Sequence, residues 1–147
     1  MTKAIYFDMD GTIANLYGVE NWLDYLNASD PTPYRVAQPL VNMNSLARLL
    51  NRLQADGWHI GIVSLLSKGG TAEYNEVVTA TKIEWLSRHL HSVHWNEIKI
   101  IPYGTPKHEA VNVAGGILFD DEALNRNNWI GTAYDVQNII EILKGLR

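Results

Sequence analysis

The chain alternates short, unbroken apolar runs with longer segments whose apolar residues recur at helical spacing. An unbroken run of strand length is typical of a strand buried on both faces, as in a parallel sheet covered by helices. Five such runs lie at residues 4–7, 58–63, 98–101, 116–119 and 129–134. Because strands and helices alternate, the sequence predicts an α/β fold: a three-layer, Rossmann-like parallel sheet of about five strands flanked by helices.

Four segments between these runs place apolar residues at i, i+3, i+4 and i+7, which puts a stripe on one side of a helix. Their stripes are Val19, Trp22, Leu23 and Leu26; Leu46, Leu49, Leu50 and Leu53; a looser set of Val78, Ile83, Leu86 and Leu90; and Val136, Ile139, Ile140 and Leu143. Gly57 is placed to end the second helix, and Asp135 is placed to cap the last.

Size and composition favour one domain over residues 1–147. A chain of this length with 46% hydrophobic residues can bury a sizeable core without a disulfide or a structural metal. The absence of cysteine excludes thiolate metal sites and cysteine nucleophiles. The net charge is −4 and the basic residues are scattered, so wrapping of a nucleic-acid backbone is disfavoured. With neither a signal peptide nor a long apolar span in view, we expect a cytoplasmic protein that does not enter a membrane.

One stretch interrupts the alternation of strands and helices. Pro31, Pro33 and Pro39 lie close together after the first amphipathic segment, which disfavours a continuous helix or a central strand. We therefore interpret residues 17–38 as a small helical insert, a minimal cap between the first strand and the first helix that packs on the sheet.

Polar residues follow the ends of the predicted strands. In a parallel sheet these positions share one crevice, even when they lie far apart in sequence. The residues are Asp8, Asp10, Gly11 and Thr12 after the first strand, Ser64 after the second, Lys107 in the segment after the third, and Asp120 and Asp121 after the fourth. Carboxylates without histidine or cysteine favour Mg²⁺, and a lysine and a hydroxyl opposite the ion would complete a site for a phosphoryl group. The glycine turn allows backbone N–H groups to point at the same anion.

At these residues the sequence resembles the haloacid dehalogenase-like (HAD) phosphatase superfamily. The Asp-x-Asp-Gly-Thr box of that superfamily matches residues 8–12, and its Ser or Thr, lysine and acidic pair match Ser64, Lys107 and Asp120-Asp121 in the same order. The resemblance implies that Asp8 is the nucleophile that forms an aspartyl-phosphate, and that Asp10 is the general acid and then the general base.

The resemblance also implies how metal and phosphate are held. Mg²⁺ would be bound by the Asp8 side chain, the Asp10 backbone carbonyl and Asp120. Ser64, Lys107 and the Gly11 turn would bind the phosphoryl oxygens, with Thr12 and Asp121 in support. Physical chemistry agrees on two points: a carboxylate attacks a phosphate dianion only when cations neutralise the repulsion, and an acid at position 10 suits a leaving oxygen that needs a proton.

A finer resemblance concerns the substrate. Residues 82–86, Lys107, residues 117–121 and Trp129 are similar to the 5′(3′)-deoxyribonucleotidase branch and its phage-type relatives. The implied activity is hydrolysis of a small phosphomonoester, foremost a (deoxy)nucleoside monophosphate, by a 5′-nucleotidase. Four aromatic residues could stack on a base, although aromatic residues at helical spacing also pack against one another: Tyr17, Trp22, Tyr25 and Tyr34.

Several alternatives stay open from sequence alone. The site residues have plainer interpretations: Asp-Gly is a common turn, Ser64 and Asp121 could be caps, and Lys107 could be a solvated lysine in the first turn of a helix. The protein could also act on polynucleotide ends, because a small cap leaves the crevice open, or serve as a non-enzymatic scaffold that binds phosphate or metal. A homo-oligomer, in which a partner chain supplies a cap, is also open.

Overall fold

The computed structural model describes residues 2–147 and confirms the α/β fold, with a five-stranded parallel sheet. In chain order the strands are β1 (Ala4–Phe7), β2 (Ala14–Asn15), β3 (Gln38–Pro39), β4 (His59–Leu65), β5 (Glu97–Ile101), β6 (Ile117–Phe119) and β7 (Thr132–Tyr134). The order in the main sheet is β5-β4-β1-β6-β7, so β1 lies at its centre. Each predicted apolar run contributes one strand of this sheet.

Seven α-helices accompany the strands in the described part of the chain. They are α1 (Trp22–Asn27), α2 (Thr32–Val36), α3 (Met43–Ala55), α4 (Ala72–His89), α5 (Lys107–Ala110), α6 (Ala123–Asn128) and α7 (Ile139–Gly145). The predicted stripe of α3 is confirmed, because its four leucines are buried, and Gly57 follows the end of this helix with a φ of 98°. Helices α3, α4 and α7 place apolar residues in the core beside the sheet, as the α/β prediction requires.

Both faces of the central strands β4, β1 and β6 are buried, which explains why these strands are continuously apolar. Along β1, Ile5 and Phe7 join the larger core with α3 and α7, whereas Ala4 and Tyr6 join a smaller core on the other face. Every side chain of β1 is therefore inside the protein, and the loop that follows β1 starts from the most buried strand of the sheet.

The last predicted strand is shorter than expected. We predicted residues 129–134, but β7 begins at Thr132, and Trp129 follows the end of α6. The Trp129 ring is buried in the smaller core, and its Nε1 donates to the Gly116 carbonyl at 2.9 Å. Gly131, with a φ of 131°, lies so close to the Gly116 carbonyl that a Cβ would overlap it. The chain therefore turns between Trp129 and the strand.

The predicted cap of the last helix is wrong. The residue preceding α7 is Asn138, and the Asp135 carboxylate accepts a hydrogen bond from the adjacent Val136 amide at 2.8 Å. The apolar spacing still indicates the packing, because Ile139 and Leu143 are buried and Val136 packs against the same core from the preceding loop.

A two-stranded antiparallel ribbon forms the base of the predicted insert. Strand β2 pairs with β3, which brings Ala14 opposite Pro39 and Asn15 opposite Gln38. The segment between them contains a 3-10 turn at Leu16–Gly18, α1 and α2, so the prolines do interrupt regular structure as expected. No residue of α1 is fully buried. The interpretation of residues 17–38 as a cap stays a prediction. Over residues 2–147, none of the helices combines the length and the apolar character needed to cross a membrane.

Candidate active site

The loop that follows β1 brings Asp8 and Asp10 to the carboxyl end of the central strand. The Asp8 amide donates to the Phe119 carbonyl at 2.9 Å, which fixes the start of the loop against β6. Gly11 has a φ of 79°, and a Cβ at this position would overlap the Asp121 carboxylate and the Tyr17 ring. Only glycine fits this tight turn. The Gly11 amide donates to the Ala14 carbonyl at 2.8 Å, so its role as a phosphate donor stays a prediction and would require this bond to be exchanged.

Lys107 lies between two carboxylates on one side of this loop. Its Nζ is 3.0 Å from Asp8 Oδ1 and 2.6 Å from Asp120 Oδ2, and its side chain is 3% exposed. Burial opposes protonation of this lysine, but the charges of Asp8 and Asp120 raise its pKa above the ordinary value. Lys107 begins the short helix α5 and is buried, unlike a solvated first-turn lysine.

Thr12 and Asp121 complete the group, which we call the Lys107 cluster: Asp8, Thr12, Lys107, Asp120 and Asp121. The Thr12 hydroxyl lies 3.1 Å from Asp8 Oδ2, and the Asp121 amide donates to that hydroxyl at 3.3 Å. The threonine thus connects the loop after β1 with the loop after β6. Asp121 is held beside the nucleophile candidate by this contact.

The carboxylates of the Lys107 cluster fit a divalent cation. One oxygen from each of Asp8, Asp120 and Asp121 lies within 4.8 Å of the other two. Lys107 pairs with two of these carboxylates, those of Asp8 and Asp120, so with all three ionised the cluster has a formal charge of −2. Burial, followed by the charge on Asp8, raises the pKa of Asp120, and the same two causes raise the pKa of Asp121 to about 8. Hard oxygen ligands with excess negative charge suit Mg²⁺.

A second buried lysine lies on the other side of the loop. Lys82 Nζ is 2.8 Å from Asp10 Oδ2 and donates to Ser64 Oγ and the Leu65 carbonyl, each at 2.9 Å. The Tyr34 ring covers the ammonium, with 5.2 Å between Nζ and the ring centroid. We call these residues the Lys82 cluster: Asp10, Tyr34, Ser64, Leu65 and Lys82.

Two members of the Lys82 cluster occupy positions that the sequence reasoning did not foresee. Ser64 lies inside β4 rather than past its end, because the strand continues to Leu65, and it is fully buried. Lys82 was not predicted as a site residue. The signal was present in α4: Val78, Lys82 and Leu86 form an i, i+4, i+8 row of buried residues, while Ile83, predicted on the stripe, is 43% exposed.

The Asp10 carboxylate points towards Lys82 and the rest of its cluster. Burial raises its pKa, and the charge of Lys82 acts in the opposite direction. The three clustered carboxylates are those of Asp8, Asp120 and Asp121, so a metal-binding role of Asp10 rests on its backbone carbonyl and stays a prediction. The two aspartates of one loop are thus paired with two different lysines.

A cavity of about 510 Å³ opens above both clusters. Asp8, Asp10, Lys107 and Asp121 lie at its floor, and much of its wall is aromatic or aliphatic. The apolar residues of the wall are Leu16, Tyr17, Trp22, Leu26, Tyr34, Leu65, Leu66, Tyr103, Leu124 and Trp129. The insert supplies Tyr17, Trp22 and Tyr34 to that wall. The rings of Tyr17 and Trp22 pack edge to face, with 5.0 Å between their centroids.

Comparison with solved structures finds a similar fold in two other proteins. The chain is similar to D,D-heptose 1,7-bisphosphate phosphatase from B. bronchiseptica, solved with magnesium and phosphate, with a TM-score of 0.58 and 12% identity over 99% of this chain and 100% of that one. The enzyme of the same description from Burkholderia thailandensis gives a TM-score of 0.56 and 10% identity over 99% and 98% of the two chains. No protein-family model and no curated protein matches the sequence. At this identity the likeness establishes the fold.

Proposed function

We propose that the protein is a Mg²⁺-dependent phosphomonoester hydrolase of the HAD type, with Asp8 as nucleophile and Asp10 as general acid and base. The observation that carries the proposal is the pairing of these two aspartates, two residues apart, with separate buried lysines at the end of the central strand. The motif resemblance and the fold shared with two phosphatases support the same reaction class.

In the first step an Asp8 carboxylate oxygen attacks the phosphorus atom. The bond between phosphorus and the leaving oxygen breaks, its electron pair stays on that oxygen, and Asp10 supplies the proton. Lys107, 3.0 Å from Asp8 Oδ1, offsets the repulsion between the carboxylate and the phosphate. The product is an aspartyl-phosphate on Asp8 and a free alcohol.

In the second step Asp10, now a carboxylate, takes a proton from a water molecule that attacks the phosphorus atom. The bond between phosphorus and Asp8 breaks, and inorganic phosphate leaves. Asp10 returns to its protonated form, so the same side chain serves both steps. Bound Mg²⁺, held by Asp8 and Asp120 with Asp121 nearby and the Asp10 carbonyl as a further ligand, would supply positive charge against the phosphoryl oxygens.

For the substrate we propose a (deoxy)nucleoside monophosphate. Flat aromatic side chains such as Tyr17, Trp22 and Tyr103 in the cavity wall suit stacking on a base. A sugar bisphosphate would present a second phosphate to this wall. Among the described lining residues outside the two clusters, the basic side chains that could bind this phosphate are those of Lys68 and His108. The apolar balance of the wall therefore favours a nucleoside over a sugar bisphosphate.

The proposal is tested by phosphate release from a substrate panel, with Mg²⁺ or with EDTA. The panel contains 5′- and 3′-nucleoside monophosphates in ribo and deoxy form, sugar mono- and bisphosphates, and oligonucleotides phosphorylated at either end. We expect Mg²⁺-dependent release from nucleoside monophosphates by the wild type, none by Asp8→Asn, and full activity in the control Asp56→Asn at the exposed end of α3.

Three outcomes would contradict parts of the proposal. Equal release by the wild type and Asp8→Asn would exclude the aspartyl-phosphate mechanism. A clear preference for sugar phosphates or for oligonucleotide ends would remove the nucleotide assignment but keep the reaction class. Mg²⁺-dependent binding of the phosphate analogue BeF₃⁻ without turnover of any substrate would favour a non-enzymatic scaffold.

A further inference from the structure

We propose that Lys82 is a positioning residue for the reaction: it holds the Asp10 carboxylate and the Ser64 hydroxyl in one fixed arrangement. This inference rests on the proposed function, because it assigns a role in delivering the proton of Asp10. Neither the motif resemblance nor the spacing of the predicted site residues assigned a role to Lys82.

The contacts of Lys82 connect three parts of the fold. Its side chain is 1% exposed, and its three N–H groups face three oxygens at 2.8–2.9 Å, one each from Asp10, Ser64 and Leu65. Asp10 belongs to the loop after β1, Ser64 and Leu65 belong to β4, and the lysine comes from the middle of α4. The ammonium thus fixes the positions of the loop and the strand relative to each other.

Stability alone does not account for a lysine at this position. Val78, Trp85 and Leu86, its neighbours on the buried side of α4, are apolar. Burying an ion pair costs desolvation energy, and replacing both partners by apolar residues of similar volume is often neutral or stabilising. Removing one partner is destabilising, because the other charge then stays buried without a partner. Apolar residues at both position 10 and position 82 would satisfy packing, whereas a cation with several donors holds a carboxylate and a hydroxyl together.

The geometry has a direct consequence for each partner. Lys82 contacts Oδ2 of Asp10, and Asp10 also lines the cavity above the nucleophile, so fixing one oxygen orients the carboxyl group at the cavity floor. Ser64 Oγ accepts a hydrogen bond from Lys82, which leaves the hydrogen of its own hydroxyl for another acceptor.

The insert covers the lysine of this arrangement. Tyr34, in α2, is 5% exposed and covers the ammonium with its ring. The Trp85 indole, one turn of α4 beyond Lys82, donates to the Ala37 carbonyl at the end of α2. The insert is therefore attached to the same part of α4 that supplies the lysine.

The expected signature is a dependence on the leaving group. As the bond between phosphorus and the leaving oxygen breaks, the electron pair moves onto that oxygen, and a nucleoside alkoxide needs the Asp10 proton at this point. A p-nitrophenolate is a stable anion and leaves without a proton. A misplaced acid therefore slows hydrolysis of a nucleoside monophosphate far more than hydrolysis of p-nitrophenyl phosphate.

The experiment compares both substrates in the wild type, Lys82→Met, Lys82→Arg and Asp10→Asn, with Lys144→Met on α7 as a surface control. We expect Lys82→Met to lower kcat about 10²–10³-fold on the nucleotide and less than about tenfold on p-nitrophenyl phosphate, the pattern also expected of Asp10→Asn. Lys82→Arg keeps the charge with a different donor geometry, so we expect a smaller loss with the same bias. Thermal unfolding of every variant establishes that it is folded.

The outcomes separate this inference from the proposed function. A wild type that hydrolyses neither substrate removes the proposed function and this inference with it. An active wild type whose Lys82→Met and Lys82→Arg variants lose equal factors on both substrates, while Asp10→Asn shows the bias, overturns the role of Lys82 alone. If Lys82→Met does not fold, an equal loss of activity on both substrates in Lys82→Arg overturns the role of Lys82 in the same way.

Discussion

The two buried lysines lie on opposite sides of the loop after β1 and face different balances of charge. The Lys107 cluster combines one ammonium with three carboxylates, two of which the ammonium contacts, whereas in the Lys82 cluster one ammonium faces one carboxylate and two neutral oxygens. With every carboxylate ionised, the first cluster has a formal charge of −2 and the second is neutral. A divalent cation is therefore expected at Lys107 and not at Lys82.

This difference divides the chemistry between the two clusters. The Lys107 cluster contains the proposed nucleophile Asp8 and the carboxylates that would bind a metal ion next to the phosphate. The Lys82 cluster fixes the acid that acts on the leaving oxygen. Changes in the first should affect every substrate, and changes in the second should affect substrates according to their leaving group.

The largest effect is expected for Lys107→Met. Without this lysine the Asp8 carboxylate meets the phosphate with less opposing positive charge, so kcat/KM should fall about 10³-fold. The loss should be similar for a nucleoside monophosphate and for p-nitrophenyl phosphate, as measured by phosphate release. Lys144→Met, on α7 and outside both clusters and the cavity, is the control for loss of a lysine. A strong leaving-group bias in Lys107→Met would contradict the division of roles.

Mg²⁺ should stabilise the protein through the Lys107 cluster. At a concentration of about 100 times its Kd, a ligand that binds only the folded state adds about 2.7 kcal/mol, which is roughly 5–10 °C in Tm for a chain of this size. We expect this shift by differential scanning fluorimetry in the wild type and in Lys82→Met, and not in Asp120→Asn. An undiminished shift in Asp120→Asn would place the cation elsewhere.

The cavity wall should affect binding rather than chemistry. Trp22→Ala removes an aromatic surface from the insert, and loss of one stacking contact is worth about 1–3 kcal/mol. We expect KM for a nucleoside monophosphate to rise about tenfold, with kcat and the KM for p-nitrophenyl phosphate little changed. Leu23→Ala, on the same helix with an exposed side chain, is the matched control. Equal effects of the two substitutions would argue against base stacking at Trp22.

The smallest effect concerns pH and the metal-free protein. The pKa of Asp121 is raised to about 8 in the folded protein, by burial first and then by Asp8, so the folded state binds a proton more tightly than the unfolded chain does. This contribution to stability is fully present below the ordinary aspartate pKa and is lost as pH rises towards 8. In EDTA we expect urea midpoints to fall from pH 5 to pH 8, and to fall less in Asp121→Asn. An identical slope in that variant would contradict the assignment.

The fold was predictable because the three central strands β4, β1 and β6 are buried on both faces. The runs in β1 and β6 match the structure to within one residue, since every position there needs an apolar side chain. The last strand was predicted to begin too early, at Trp129, because a buried aromatic residue outside a strand has the same local sequence pattern as one inside it. The prediction that Asp135 caps the last helix was wrong because an aspartate near the start of a helix is also common in the turn that precedes it.

The candidate site was predictable where the residues lie on short loops at strand ends. Asp8 and Asp120 follow β1 and β6 directly, and those strands are neighbours, so their meeting follows from topology. Lys82 was missed because it lies mid-helix on an apolar face, where periodicity counts a lysine as a break. Its partners lie in the loop after β1 and in β4, so only the folded structure shows that a buried lysine at this position can form hydrogen bonds to oxygen atoms.

The central claim, that Asp8 is the nucleophile, is tested most directly by trapping the intermediate. The wild type and Asp8→Asn are mixed with a nucleoside monophosphate and Mg²⁺, quenched in acid within one turnover, and digested for peptide mass spectrometry. We expect one phosphoryl group on the peptide that contains Asp8 in the wild type, and none in the variant. Phosphate release by the wild type without a phosphorylated peptide, together with release by Asp8→Asn at the same rate, would contradict the claim.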